Sequence, residues 1–243
     1  VASLGRAGTW PALKTEAIEQ RLPKGVDPKK PDWGKLLFAW SDLNGDAQVQ
    51  PDEVAFAKGE AGSGVTVSPD LTMATGHAIA FAPQRFTAQG APVYDLSKGE
   101  ALVPDPQQPT TSGGGQVLQC RDGWTLLTVA PKPFAPQSMG GARAGQAMWS
   151  YPSAWPGLHA SHIAPMPEFP GELIGTTRLL GPAFSPRQGE AGELWAINGN
   201  KGNVYLFTTD GLFVATLFRD CRVPEAAWSS WPKAVRGMSL SDV

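Results

Sequence analysis

Residues 42–53 read DLNGDAQVQPDE, a twelve-residue run with four carboxylates and three side-chain amides. Asp42, Asn44, Asp46 and Glu53 stand at positions 1, 3, 5 and 12 of an EF-hand-like loop, where side-chain oxygens hold a cation, and Gln48 stands at position 7, where a backbone carbonyl does. Gln50 at position 9 ligates directly or through water, and Val49 is the apolar anchor before it. Oxygen donors of this number, with no His or Cys nearby, select Ca2+ over softer metals. Carboxylates this close repel one another unless a cation or abundant water lies between them. One position departs from the pattern. Ala47 replaces the Gly that makes the sharp turn, and a Cβ at a left-handed position costs roughly 1 kcal/mol, which lowers affinity about tenfold. Binding at the weak end of the loop's range suits extracellular calcium near millimolar. The alternative is a solvated acidic turn, since Asn-Gly and Asp are ordinary turn residues.

A second candidate lies in PGLHASHIAP, where His159 and His162 are two of the chain's three histidines. H-x-x-H suits one face of a helix, but Pro156, Pro165, Pro167 and Pro170 argue against a helix there. No Glu follows as in a metalloprotease helix. Two imidazoles on a proline-stiffened loop beside Trp149, Tyr151 and Trp155 are the candidates for a catalytic or metal-binding mouth; the alternative is histidines that pack or face solvent. Trp149, Trp155, Trp228 and Trp231 lie in proline-rich contexts, where an indole either stacks on a sugar ring or packs between sheets. A glycoside-hydrolysing pair would come from Glu168, Glu172, Glu190 and Glu193, but such a claim needs a separation that sequence does not supply. No G-x-S-x-G nucleophile elbow occurs, and TSGGGQ lacks the lysine of a phosphate-binding loop.

The elements that would position these groups are short. With 28 Gly and 23 Pro in 243 residues, and no collagen period, the chain has the punctuation of many brief strands. Apolar or alternating runs recur at 36–40, 65–67, 71–75, 79–86, 92–96, 116–120, 124–129, 147–151, 173–180, 193–198, 204–208 and 212–218. The two Asp-Gly pairs, at Asp122 and Asp210, signal hairpins; halving their separation gives a period of roughly 44 residues, the size of a four-stranded propeller blade. The expected fold is therefore all-β: a β-propeller or part of one, built of four-stranded antiparallel blades, with a β-sandwich as the alternative. Residues 1–34 read as an irregular segment with a short helix near 13–22, stopped by Pro23. Residues 35–60 read as a strand entering the calcium loop, and 61–243 as propeller blades. KLLFAW before the loop is one strand long, and PDEVAFAKGEAG after it allows only a turn or two of helix. This is a lone loop that staples, not a paired sensor that opens a groove.

Net charge is −2 and 17% of residues are charged, with no basic cluster, so the expectation is no nucleic-acid partner. No apolar run is long enough to span a bilayer as a helix, so membrane insertion is not expected. Cys120 and Cys221 form either one disulfide or two free thiols. FAWSDLNGDAQVQPDEV, AINGNKGNVYLFTTDGLFVATLFRDCR and WSYPSAWPGLHASHIAP together resemble a group of large secreted bacterial β-propeller proteins of the NHL and PQQ-like type that carry one EF-hand-like loop. The resemblance covers most of the chain from about residue 33. It implies a propeller, a calcium site, export from the cytoplasm and a polypeptide continuing past Val243, and it supplies no catalytic residues. The expected function is a calcium-binding, calcium-stabilised module that binds a polysaccharide or protein ligand or acts as a scaffold. The alternative is an extracytoplasmic enzyme, either a quinoprotein-like oxidoreductase or a polysaccharide hydrolase or lyase, using His159 and His162.

Overall fold

The computed structural model describes residues 1–30, 33, 35–59, 64–105, 115–128, 132, 138–152, 168–174, 178–184, 192–199 and 203–217. Among these residues strand makes up 41% and helix 11%, an all-β composition. Among the described residues, the strands form four larger antiparallel sheets that follow one another along the chain and one two-stranded hairpin. The first holds Ala2–Arg6 (β1), Leu37–Ser41 (β2) and Val54–Ala57 (β3), in that order. The second joins Val65–Val67 (β4), Met73–Thr75 (β5) and Ile79–Phe81 (β6); a separate hairpin of Arg85–Phe86 (β7) and Pro92–Val93 (β8) intervenes before Glu100–Ala101 (β9) completes it. The third runs Val117–Gln119 (β10), Trp124–Leu127 (β11), Ser138–Arg143 (β12) and Gln146–Pro152 (β13). The fourth runs Leu179–Phe184 (β14), Leu194–Asn198 (β15), Val204–Thr208 (β16) and Phe213–Leu217 (β17). The expected helix near 13–22 is one turn, Glu16–Glu19. Ala2–Arg6 is a correction to the reading of 1–34 as irregular: the segment lacks strand alternation but gains a full ladder by lying beside β2. No helix among the described residues is long and apolar enough to cross a membrane.

The sheets pack face to face in chain order. Every residue of β2 is buried because both of its faces are covered, which explains an unbroken apolar run where a half-exposed strand would alternate. Leu37 and Ala39 meet Met73, Phe81 and Tyr94. Phe38 and Trp40 face the other way, into a core with Ala7, Leu13, Ile18, Trp33 and Leu36 supplied by the N-terminal segment. Ala74, Ala78 and Val103 then pack on Val117, Leu127 and Ala142. Leu126 and Met139 pack on Leu179, Trp195, Ile197, Tyr205 and Phe207. Polar contacts pin the same joints: Ser68 Oγ donates to Gln119 Oε1 at 3.1 Å, and Leu179 N–H to Gln116 Oε1 at 2.9 Å.

The turns correct one expectation. Asp122-Gly123 lies between β10 and β11, whereas Asp210-Gly211 lies between β16 and β17, so the two pairs occupy different places in their sheets and their spacing is not a repeat. The first strands of the four-stranded sheets begin at 65, 117 and 179, unequal steps that are wider than roughly 44 residues. Both Asp-Gly turns have three residues: Cys120 N–H bonds Trp124 C=O and Gly123 N–H bonds Cys120 C=O, with the same pattern at Thr208, Leu212 and Gly211. That is a type I turn closed by a left-handed residue, so only the Gly has positive φ. The two-residue turn with positive φ at both positions is Ala144-Gly145, joining β12 and β13.

Candidate metal centre

The loop of residues 42–53 hangs between β2 and β3, entered from a strand and left through a single 3-10 turn at Pro51–Glu53. Its side-chain oxygens fold inward onto its own backbone. Asp42, 3% exposed, accepts from Gly45 N–H at 2.7 Å through Oδ1 and from Ala47 N–H at 3.2 Å through Oδ2. Asn44 Oδ1 accepts from Asp46 N–H at 3.0 Å, and Asp46 Oδ1 from Gln48 N–H at 2.8 Å. Glu53, 6% exposed, closes the loop: Oε1 accepts from Leu43 N–H at 2.7 Å, and Oε2 from Trp40 Nε1 at 2.9 Å and Gln50 N–H at 3.4 Å. Ala47 has φ 58, the left-handed conformation that position 6 of such a loop requires.

Ligand capacity remains after these bonds. A carboxylate offers about four lone-pair sites. Asp42 uses two on backbone donors, with the Val1 nitrogen a further 3.6 Å from Oδ2. Asp46 uses three, because Oδ2 also accepts from Asn44 Nδ2 at 3.1 Å and Gln50 Nε2 at 2.6 Å. The N–H of Gln48 foremost, then the Gln50 amide, hold the Asp46 carboxyl below its usual range. Asn44 Nδ2 reaches Gln50 Oε1 at 3.2 Å as well, so an amide nitrogen links the exposed arms that a cation would link. All the donors are hard oxygens, and the exposed Asn44 and half-buried Gln50 amides can turn their oxygens to join them. The set fits calcium.

The other expected residues fall differently. His159, His162 and Trp155 lie outside the described residues, as do Cys221, Trp228 and Trp231. Trp149 and Tyr151, on β13, pack between the third and fourth sheets: Trp149 Nε1 donates to Thr209 C=O at 3.1 Å and Tyr151 OH to Gly211 C=O at 2.8 Å. Trp149 lies edge-on to Tyr151 and tilted over Trp195. Gly141 lets the indole lie against β12, because a Cβ there would land on Trp149 Nε1. The acidic residues scatter. Glu168 N–H donates to Glu172 at 2.6 Å, Glu190 is outside the described residues, and Glu193 sits by Arg121.

One cluster has no local sequence signal. The thiol of Cys120 and the carboxylates of Asp122 and Glu193 lie within 4.8 Å of one another, the single such trio among the described residues. Glu193 accepts from Arg121 N–H at 3.1 Å and Asp122 from Thr209 Oγ1 at 2.6 Å. Burial first, then the charges of Asp122 and Glu193, push the Cys120 thiol up to about 12. It is a free thiol. The chain matches no known family model, no characterised protein and no solved structure.

Proposed function

We propose that the chain is a calcium-binding β-propeller, or part of one, that works outside the cytoplasm as a binding or scaffold module for a polysaccharide or protein ligand. The loop of residues 42–53 is its calcium staple. One observation carries this reading: Asp42, Asn44, Asp46 and Glu53 each accept loop N–H groups in the register of an EF-hand-like loop, around an Ala47 already in the left-handed conformation. A solvated acidic turn has no need to bury two of its carboxylates. Three four-stranded antiparallel sheets packed in chain order support the propeller, as successive blades. The outer face of the first sheet is taken by the N-terminal segment, so that sheet is the calcium-bearing flank of the blades. The resemblance to secreted bacterial propellers and the weak calcium affinity that Ala47 imposes both point to an exported protein.

The test is calorimetric titration with calcium, with thermal melting in parallel and Asp46→Ala as control, because Asp46 is exposed and its loss leaves the core alone. One saturable site with Kd of about 10⁻⁴ to 10⁻³ M, a rise in Tm, and loss of both in the variant are expected. No heat and no Tm shift up to about 5 mM calcium, beyond the weak limit of such loops, would overturn the reading.

A further inference from the structure

We propose that Trp40 is the positioning residue of the calcium loop, and that through it calcium tightens the N-terminal segment onto the first sheet. This rests on the calcium reading above. Glu53 is held by three donors, and two of them, Leu43 N–H and Gln50 N–H, belong to the loop itself. The third, Trp40 Nε1, belongs to the core. Trp40 is 4% exposed and packed in the core with the N-terminal segment, and that packing sets where its indole N–H holds Oε2. A buried indole N–H needs a partner, and Glu53 is the partner it has at 2.9 Å.

The ring end of the same side chain faces the N-terminal segment. Trp40 and Trp10 have ring centroids 5.4 Å apart, and Trp10 lies 5.3 Å from Phe38. Ala7, Leu13, Ile18, Trp33 and Leu36 complete that core. Alternation along β2 sends Leu37 and Ala39 to the opposite face. A restraint on Glu53 is therefore felt on the face covered by the N-terminal segment and not on the face shared with the second sheet. Coupling of this kind is reciprocal: whatever factor packed Trp40 adds to calcium affinity, calcium adds to the packing of Trp40. The loop is a clasp for one particular segment.

Two measurements test this. Hydrogen exchange on the unmodified protein, with and without calcium, is expected to slow at amides of residues 7–30 as well as at 42–53. Calorimetry is expected to find calcium bound 10- to 100-fold more weakly by Trp40→Phe, the usual cost of losing a partner that orients a ligand. Ile18→Val, which trims the same core without touching Glu53, is expected to lower Tm and keep the wild-type affinity. Wild-type affinity in Trp40→Phe overturns the inference, as does equal weakening in Ile18→Val. Protection confined to 42–53 overturns it without any variant. In each of those results the wild type still binds calcium and the calcium reading stands; a wild type that binds none removes both.

Discussion

The loop of residues 42–53 and the Cys120–Asp122–Glu193 cluster each gather acidic groups, and they treat the charge in opposite ways. In the loop, the oxygens of Asp42, Asp46 and Glu53 are met by N–H groups of the same twelve residues, so their negative charge is stabilised and the Asp46 carboxyl is held low. In the cluster, Glu193 stands just before β15, the second strand of the fourth sheet, and Asp122 in a turn of the third, and their charges bear on a thiol that burial already keeps protonated. A cation entering the loop displaces amide contacts but no proton. A cation entering the cluster with sulfur as ligand must first drive a proton off Cys120, against burial and two carboxylates. Proximity of acids alone therefore does not mark a metal centre. What separates the two regions is whether local donors have already arranged the oxygens for a positive charge.

The sharpest way to break the comparison is the reactivity of that thiol. In a Cys221→Ala background, Cys120 is expected to react with iodoacetamide at pH 8 on the order of a thousandfold more slowly than an exposed cysteine, whose ordinary pKa is about 8.5. Its folded pKa lies above its unfolded value, so its contribution to stability is complete below the unfolded value and declines as pH rises toward about 12. Denaturant midpoints falling over that alkaline window would match; alkylation at the rate of a free peptide thiol would mean that the cluster does not shield Cys120. Next in size is Glu53→Ala. It strands the Trp40, Leu43 and Gln50 donors around a buried site, and a loss of about 3 kcal/mol in calcium-free denaturant unfolding is expected. A change under 0.5 kcal/mol, the scale of an ordinary surface substitution, would reduce the loop to an exposed acidic turn.

The hydrogen-bonded turn of residues 42–53 was legible in the sequence because its acceptors, most of its donors and its one odd residue lie within twelve positions. Ala47 was expected in a strained left-handed conformation and is found there. The β2 run and the strands β15 to β17 were equally local. The misses have a common physical cause. Ala2–Arg6 is a strand only because β2 offers it a ladder 35 residues later, and Ser138–Arg143, with its two glycines, reads as a loop until Trp149 folds across it. Of the two readings of Trp149, packing between sheets is the one found; what the sequence hid is the partner, because the polar tips of Trp149 and Tyr151 bond carbonyls of a turn 60 residues further on. The turns hid their geometry too. Ser68, Thr87, Cys120 and Thr208 each start the same three-residue turn, closed at its left-handed position by Leu71, Gly90, Gly123 and Gly211. Because Leu71 serves where Gly does elsewhere, a search for Asp-Gly finds only part of the set.

The smallest expected effect sharpens the comparison from the loop's side. Ala47→Gly removes a Cβ from a residue at φ 58, and its N–H already donates to Asp42 Oδ2. Relief of the left-handed strain favours the folded loop by roughly 1 kcal/mol, while the added freedom of Gly in the unfolded chain takes part of that back. Net stability without calcium should therefore move by only a few tenths of a kcal/mol. Affinity behaves differently if the loop tightens around the cation. Glycine then lets the backbone at position 6 close without a steric cost, and Kd is expected to fall about tenfold. Melting curves and calcium titrations on the one variant separate the two effects. A Kd unchanged by the substitution would mean that the loop is already in its cation-binding conformation and that Ala47 costs it nothing.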